Sequence, residues 1–266
     1  MTSLASTEQN GSLAPVAARD DWQLAPGQGL ASELELVGVE SERLAKALVH
    51  AWTERGLQGH AAVAAYSHFA LELLSLGAPP QLLSGCAQAM QEETVHAQAC
   101  FSLARRYGAR NVGPGPLGLG QERGDGDLTS IVVGAVHRGC IGETVHALAA
   151  REALEHCQDP ATREVLIRHQ EAKAQQAQLA WRFIAWALRG AGRELVDHVR
   201  VAFLTGLTAK VETLLPTERD RALLRSGLLS QHQHRALEQR VLRDVVVPCM
   251  EALLARAGRA SVPPPF

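Results

Sequence analysis

Apolar residues recur along this chain at intervals of three and four rather than two. Ala, Leu, Arg, Glu and Gln dominate, and β-branched runs bounded by turn signals are nearly absent, so the period to expect is that of the α-helix. Caps and breakers divide the pattern. Ser41 caps a short leading helix through Glu54 that stops at Gly56, and an apolar stretch from Gln58 to Leu76, helix A, ends at Gly77-Ala78-Pro79-Pro80. Helix B opens at Pro80-Gln81-Leu82 and runs to Arg106 or Tyr107, before Gly108. The Gly- and Pro-rich segment Asn111 to Asp125 excludes a helix and reads as a crossover. Asp127 caps helix C, which runs to about Cys157. Asp159-Pro160 opens helix D, which runs to about Arg189 and closes at Gly190-Ala191-Gly192. Two more helices follow, roughly over 193–214 and 217–256. The second is broken near Gly227 and restarted by the Ser230-x-x-Gln233 capping box, and Pro248 is expected to kink or end it.

The order A, turn, B, long crossover, C, turn, D predicts an all-α protein of the ferritin-like four-helix-bundle type, with a short leading helix and extra C-terminal helices. The expected domain spans 39–257, with a core bundle over about 57–190 and C-terminal helices over about 193–256. Residues 1–38 mix Gly, Pro and Ser without period and read as a disordered arm; 258–266 read as a disordered tail.

Composition narrows the function classes. The chain has 266 residues, 46% hydrophobic and 20% charged, with a formal charge of −2, which excludes disorder and leaves no basic field for a phosphate backbone. Nucleic acid is therefore not an expected partner. No run approaches the roughly 18 apolar residues of a membrane span, and the start lacks a signal-peptide pattern, so neither a membrane partner nor export is expected and the reading is cytoplasmic. Five cysteines without a CxxC pair suggest reduced thiols rather than a disulfide framework.

The candidate chemistry lies on helices B and C. QEETVHAQACF puts Glu93 and His96 at i, i+3, and GCIGETVHAL puts Glu143 and His146 at the same spacing. Positions three apart share a helix face, so each pair is able to meet one ion. Small apolar neighbours on both stripes, Cys100 and Cys140 among them, place these groups inside the bundle, where an unpaired carboxylate is costly.

The blocks HAAVAAYSHFALELLSLGAPPQLL, EETVHAQACFSLARRYGARNVGPGPL, GCIGET, LAWRFIAWAL and LRDVVVPCMEALL resemble a largely uncharacterised family of bacterial ferritin-like proteins, over about residues 41 to 256. The resemblance implies a di-iron carboxylate pattern: a Glu on helix A, Glu-x-x-His on B, a Glu on C, and Glu-x-x-His before Leu-Ala-Trp on D. Glu93, His96 and Glu143 match that pattern, but the helix A position is Gly59, ahead of His60, and the helix D pair falls on Lys173 and Gln176. An ammonium then replaces a bridging carboxylate, which removes the basis for a dinuclear centre and its oxygen chemistry.

Two readings follow. In the first, Lys173 occupies the place of the second metal and pairs with Glu93 and Glu143, giving a dismantled di-iron site that is neither an iron store nor a dinuclear oxidase and that serves another protein as partner. In the alternative, Glu93, His96, Glu143 and His146 hold one Fe or Mn ion in an oxidoreductase acting on a small organic substrate. A metal-independent catalyst using Lys173 as base or Schiff-base amine is a third class that no other residue supports. Around these groups, His169 shares a face with Lys173 and Gln176, and His60 lies one position off the ligand face. Tyr66 and Tyr107 read as packing residues, and His232 with His234 cannot chelate from one helix face. The amphipathic C-terminal helices are the candidate face for a homodimer.

Overall fold

The computed structural model describes Trp22 and residues 39–110, 112–118, 126–206 and 217–260, with backbone alone at 39–41 and 258–260. The rest of the expected N-terminal arm, most of the crossover, 207–216 and 261–266 lie outside the described residues. All the regular structure among the described residues is helical, without a strand.

Helix α1 (Val39–Ser75) is one continuous helix where the sequence suggested a break at Gly56. The break fails because Gly56 serves packing: a Cβ there would lie 2.7 Å from the ring of Phe101 on the next helix. Helix α1 ends at Gly77, whose φ of 63° suits glycine. Helix α2 (Pro80–Arg106) starts on its proline. Expected helix C is a composite of α3 (Leu128–Gly134), a π-helical segment (Ala135–Glu143) and α4 (Thr144–His156). Asp127 caps it by accepting from the Ser130 backbone N–H. Helix α5 (Pro160–Ala187) is capped by Asp159, which also pairs with Arg106 at 2.8 Å and so ties the end of α2 to the start of α5.

The remaining helices are α6 (Arg193–Thr205), α7 (Glu218–Arg225), α8 (Gln231–Val241) and α9 (Val247–Ala260), with a second π-helical segment, Leu242–Val246, before α9. The Ser230/Gln233 capping box forms as expected, and a Thr217/Asp220 box opens α7. Pro248 does not end the last helix. It is the second residue of α9, directly after the π-helical segment, where its missing N–H leaves no α-helical bond unmade.

Helix α1 packs along α2, and α5 packs on both α2 and the composite helix. Three apolar clusters result among the described residues, the smallest formed by Leu57, Ala97, Phe101 and Val112; the two larger ones carry most of the core. One contains Leu73, Cys86, Val136, Phe183, Val199 and Val246; the other contains Leu48, Trp52, Leu103, Ala153 and Leu166. Among the described residues no helix is long and apolar enough to cross a membrane.

Candidate functional site

Glu93 from α2, Glu143 from the end of the π-helical segment and Lys173 from α5 meet in the interior. Lys173 Nζ lies 2.7 Å from Glu93 Oε1 and 3.0 Å from Glu143 Oε2. Glu93 and Lys173 are 2% and 6% exposed, so the pairing is the condition for keeping their charges out of water. Gln176, one turn along α5, donates to Glu93 Oε1 at 2.9 Å and to Glu92 Oε2 at 3.4 Å. Tyr66 from α1 donates its hydroxyl to Glu143 Oε1 at 3.0 Å. One ammonium, one amide and one phenol thus satisfy two buried carboxylates from four helical segments.

The electrostatics follow from burial and these contacts. Burial works against the charge on Lys173, but Glu143 and Glu93 outweigh it and hold the ammonium above its ordinary value of 10.5. Burial raises Glu143, yet the hydrogen bonds and charges of His146 and Lys173 more than offset that and bring it to about 2. The Tyr66 phenol is pushed up by burial and by Glu143, so it stays a donor.

His96 turns to a different neighbour. Its ring stacks on His169 of α5 with centroids 3.7 Å apart and planes at 12°, and its Nε2 lies 3.4 Å from Cys100 Sγ. Burial, with Lys173 and Arg55 adding repulsion, lowers His96 to about 3 and takes His169 well below 6.5, so both imidazoles are neutral at pH 7. Arg55 of α1 packs over the Trp52 ring at 5.0 Å and reaches the Gly227 carbonyl at 3.5 Å. Lys173 holds Glu93 and Glu143 to itself, so neither carboxylate is placed on the imidazole pair. The Cys100 thiol is pushed up to about 12 by burial, and Cys140 is raised by the same cause, so both act as small apolar residues.

The outer residues separate from this cluster. His146 is half exposed, with Nδ1 3.4 Å from Glu143 Oε2 and its ring 6.5 Å from that of His234. It therefore sits at the rim, and its neighbour Ala147 carries the buried stripe onward. His60 packs edge-on against Trp22 at 5.0 Å, and Trp22 in turn meets Phe101.

The donor set does not fit a dinuclear metal centre. Lys173 holds the position between the carboxylates at contact distance from both, and among the described residues no group of three or more His, Cys, Asp or Glu side chains is placed to hold a metal ion. Nor is the helix A position simply blank. A Cβ at Gly59 would stand 3.3 Å from both the Glu93 carbonyl and the Ala97 Cβ, so α1 lies against the α2 backbone where the resemblance implies a carboxylate.

Of two further contributors, Tyr66 was read from sequence as packing and Gly139 was not singled out. Tyr66 follows Gly59 by seven residues, two helical turns, which is the signal that it shares the site face. Gly139, in the π-helical segment, lies so close to the Ala180 Cβ that any side chain there would clash; this approach sets Glu143 against α5. Comparison of the chain with protein-family models, curated proteins and solved structures gave no match.

Proposed function

We propose that the chain is a ferritin-like bundle in which the ammonium of Lys173 takes the place of the dinuclear metal, so that it neither stores iron nor performs dinuclear oxidation and acts as a protein partner. The observation that carries this reading is the double contact of Lys173 Nζ with Glu93 and Glu143 at 2.7 and 3.0 Å. Gln176 supports it from the same helix. In place of a ligating imidazole it supplies an N–H that donates to Glu93 at 2.9 Å, which consumes carboxylate lone pairs that a metal would need. Gly59 supports it from α1, where close packing stands in place of a ligand.

The exchange of charge is testable by reversing it. Lys173→Glu combined with Gln176→His leaves an uncompensated interior carboxylate and supplies a new imidazole beside Glu93 and Glu143. The double variant is expected to take up about one Fe(II) or Mn(II) per chain, and the wild type none above background, by elemental analysis after desalting. A folded double variant with no uptake would count against an inherited metal site under the lysine. Lys173→Met, which removes the ammonium without adding a ligand, separates loss of the cation from gain of a donor: uptake by Lys173→Met equal to that of the double variant would show that the added ligands are irrelevant.

A further inference from the structure

Above the stacked His96–His169 pair, α2 and α5 part to leave a half-open cavity of about 290 Å³. Its walls are Val95 and Ala99 from α2 and Val165 and Ala172 from α5, so the space is mostly apolar. Two of the four walls are alanines, and the methyl groups leave the seam unfilled. Val95 is 40% exposed at the mouth of this space. The volume is roughly twice that of an apolar cavity that takes up benzene, enough for one ring and a short chain.

Charge at the rim decides what kind of molecule the space suits. Glu164 and Arg168 of α5 pair with each other at 2.5 Å and cancel. Among the described residues Glu92 of α2 has no cation: its carboxylate accepts from the amides of Gln88, at 2.8 Å, and Gln176, at 3.4 Å. The rim therefore carries one uncompensated negative charge, and the only guanidinium there is already engaged. The floor brings no opposing charge, since the His96–His169 stack is neutral, and the buried His169 Nδ1 has no hydrogen-bond partner. Of the two interior cations that act on this stack, Lys173 is neutralised by its two carboxylates, and Arg55 is held on the far helix by the Trp52 ring and the Gly227 carbonyl.

We propose that this groove between α2 and α5 binds a small organic cation, an apolar body of about one ring lying against Val95, Ala99, Val165 and Ala172 with its ammonium at Glu92. The site touches the Lys173 network through Gln176, which donates to both Glu92 and Glu93, and stands whether or not that network replaced a metal.

Isothermal titration of the full chain with 2-phenylethylammonium, phenylacetate and 2-phenylethanol tests it, because the three differ mainly in charge. The amine is expected to bind once per chain, and phenylacetate at least about tenfold more weakly. Glu92→Gln keeps the shape and the amide contact; it should weaken the amine about tenfold and leave the alcohol unchanged. Ala172→Leu should fill the space and weaken amine and alcohol together, and Glu92→Gln remains decisive if that variant fails to fold. No saturable heat from the amine up to about 5 mM would overturn the proposal. So would phenylacetate binding as tightly as the amine, or amine affinity unchanged by Glu92→Gln.

Discussion

At the scale of single residues, Lys173 has the largest consequences. Lys173→Met leaves Glu93 and Glu143 facing each other without a cation, and the expected loss is about 3–5 kcal/mol in urea unfolding. Changing both glutamates to Gln in the Met background should return most of that loss, because neutral groups of the same shape carry no charge to bury. A single variant within 1 kcal/mol of wild type by the same assay would mean that the carboxylates find other partners. Tyr66→Phe removes one donor from Glu143 and is expected to cost about 1–2 kcal/mol in the same unfolding assay. Since the Lys173 ammonium is held above its ordinary pKa by the two carboxylates, it is no nucleophile, and borohydride trapping with a carbonyl compound should leave its mass unchanged. Glu93 and Glu143 were legible in the sequence because carboxylates among small apolar neighbours need a partner, and Lys173 was found through the resemblance, as the residue that falls on the helix D ligand position. Tyr66 was not, because a phenol on an apolar face looks like packing until the neighbouring helix is placed. His146 looked equivalent to His96 by spacing, yet the repeated E-T-V-H string puts one imidazole in the interior and the other at the rim.

At the scale of elements, capping chemistry set three boundaries and missed one: α1 already begins at Val39, so Ser41 lies within it and does not cap it. Asp127, Asp159 and Ser230 all cap as their positions implied. Glycine was ambiguous, because the same residue that ends a helix also permits two helices to touch. Gly77 does the first, with its left-handed φ, and Gly56 and Gly59 do the second. The π-helical segment was not legible, since no composition rule marks it, although Gly139 and Gly142 fall within it. Its effect on the site is direct, because Glu143 is its last residue. Gly139→Ala should force the segment away from Ala180 and cost about 1–3 kcal/mol in the same unfolding assay. It should also lengthen the contacts of Glu143 with Lys173 and Tyr66, seen as increased exchange of the Tyr66 hydroxyl by NMR. Unchanged stability in Gly139→Ala would mean that the close approach is not needed to hold the site.

At the scale of the whole molecule, the interior charges set how stability varies with pH. His96, at about 3, and His169, well below 6.5, have folded values under that ordinary value. As pH falls below 6.5 the unfolded chain therefore binds protons first and stability declines. Glu143 adds to the decline below its ordinary 4.5 and down to about 2, its folded value. Lys173 acts on the other side: its contribution is complete below 10.5 and is lost as pH rises through its raised folded value. A stability plateau between about pH 6.5 and 9 is expected from chemical denaturation, since above 9 the unfolded thiols ionise while the buried Cys100, at about 12, does not, and His169→Gln should flatten the slope between pH 6.5 and 4.5 by up to about 1.4 kcal/mol per pH unit. An unchanged acid slope in that variant would place the proton uptake elsewhere.

The central claim is that an ammonium, and not a metal, is the cation between Glu93 and Glu143. Elemental analysis of wild-type protein, purified without oxygen, reloaded with Fe(II), Mn(II) or Zn(II) and desalted beside a His96→Ala/Glu143→Ala control, tests it most directly. The account predicts the same background metal content in both proteins. One or two ions per wild-type chain that disappear in the control would contradict it.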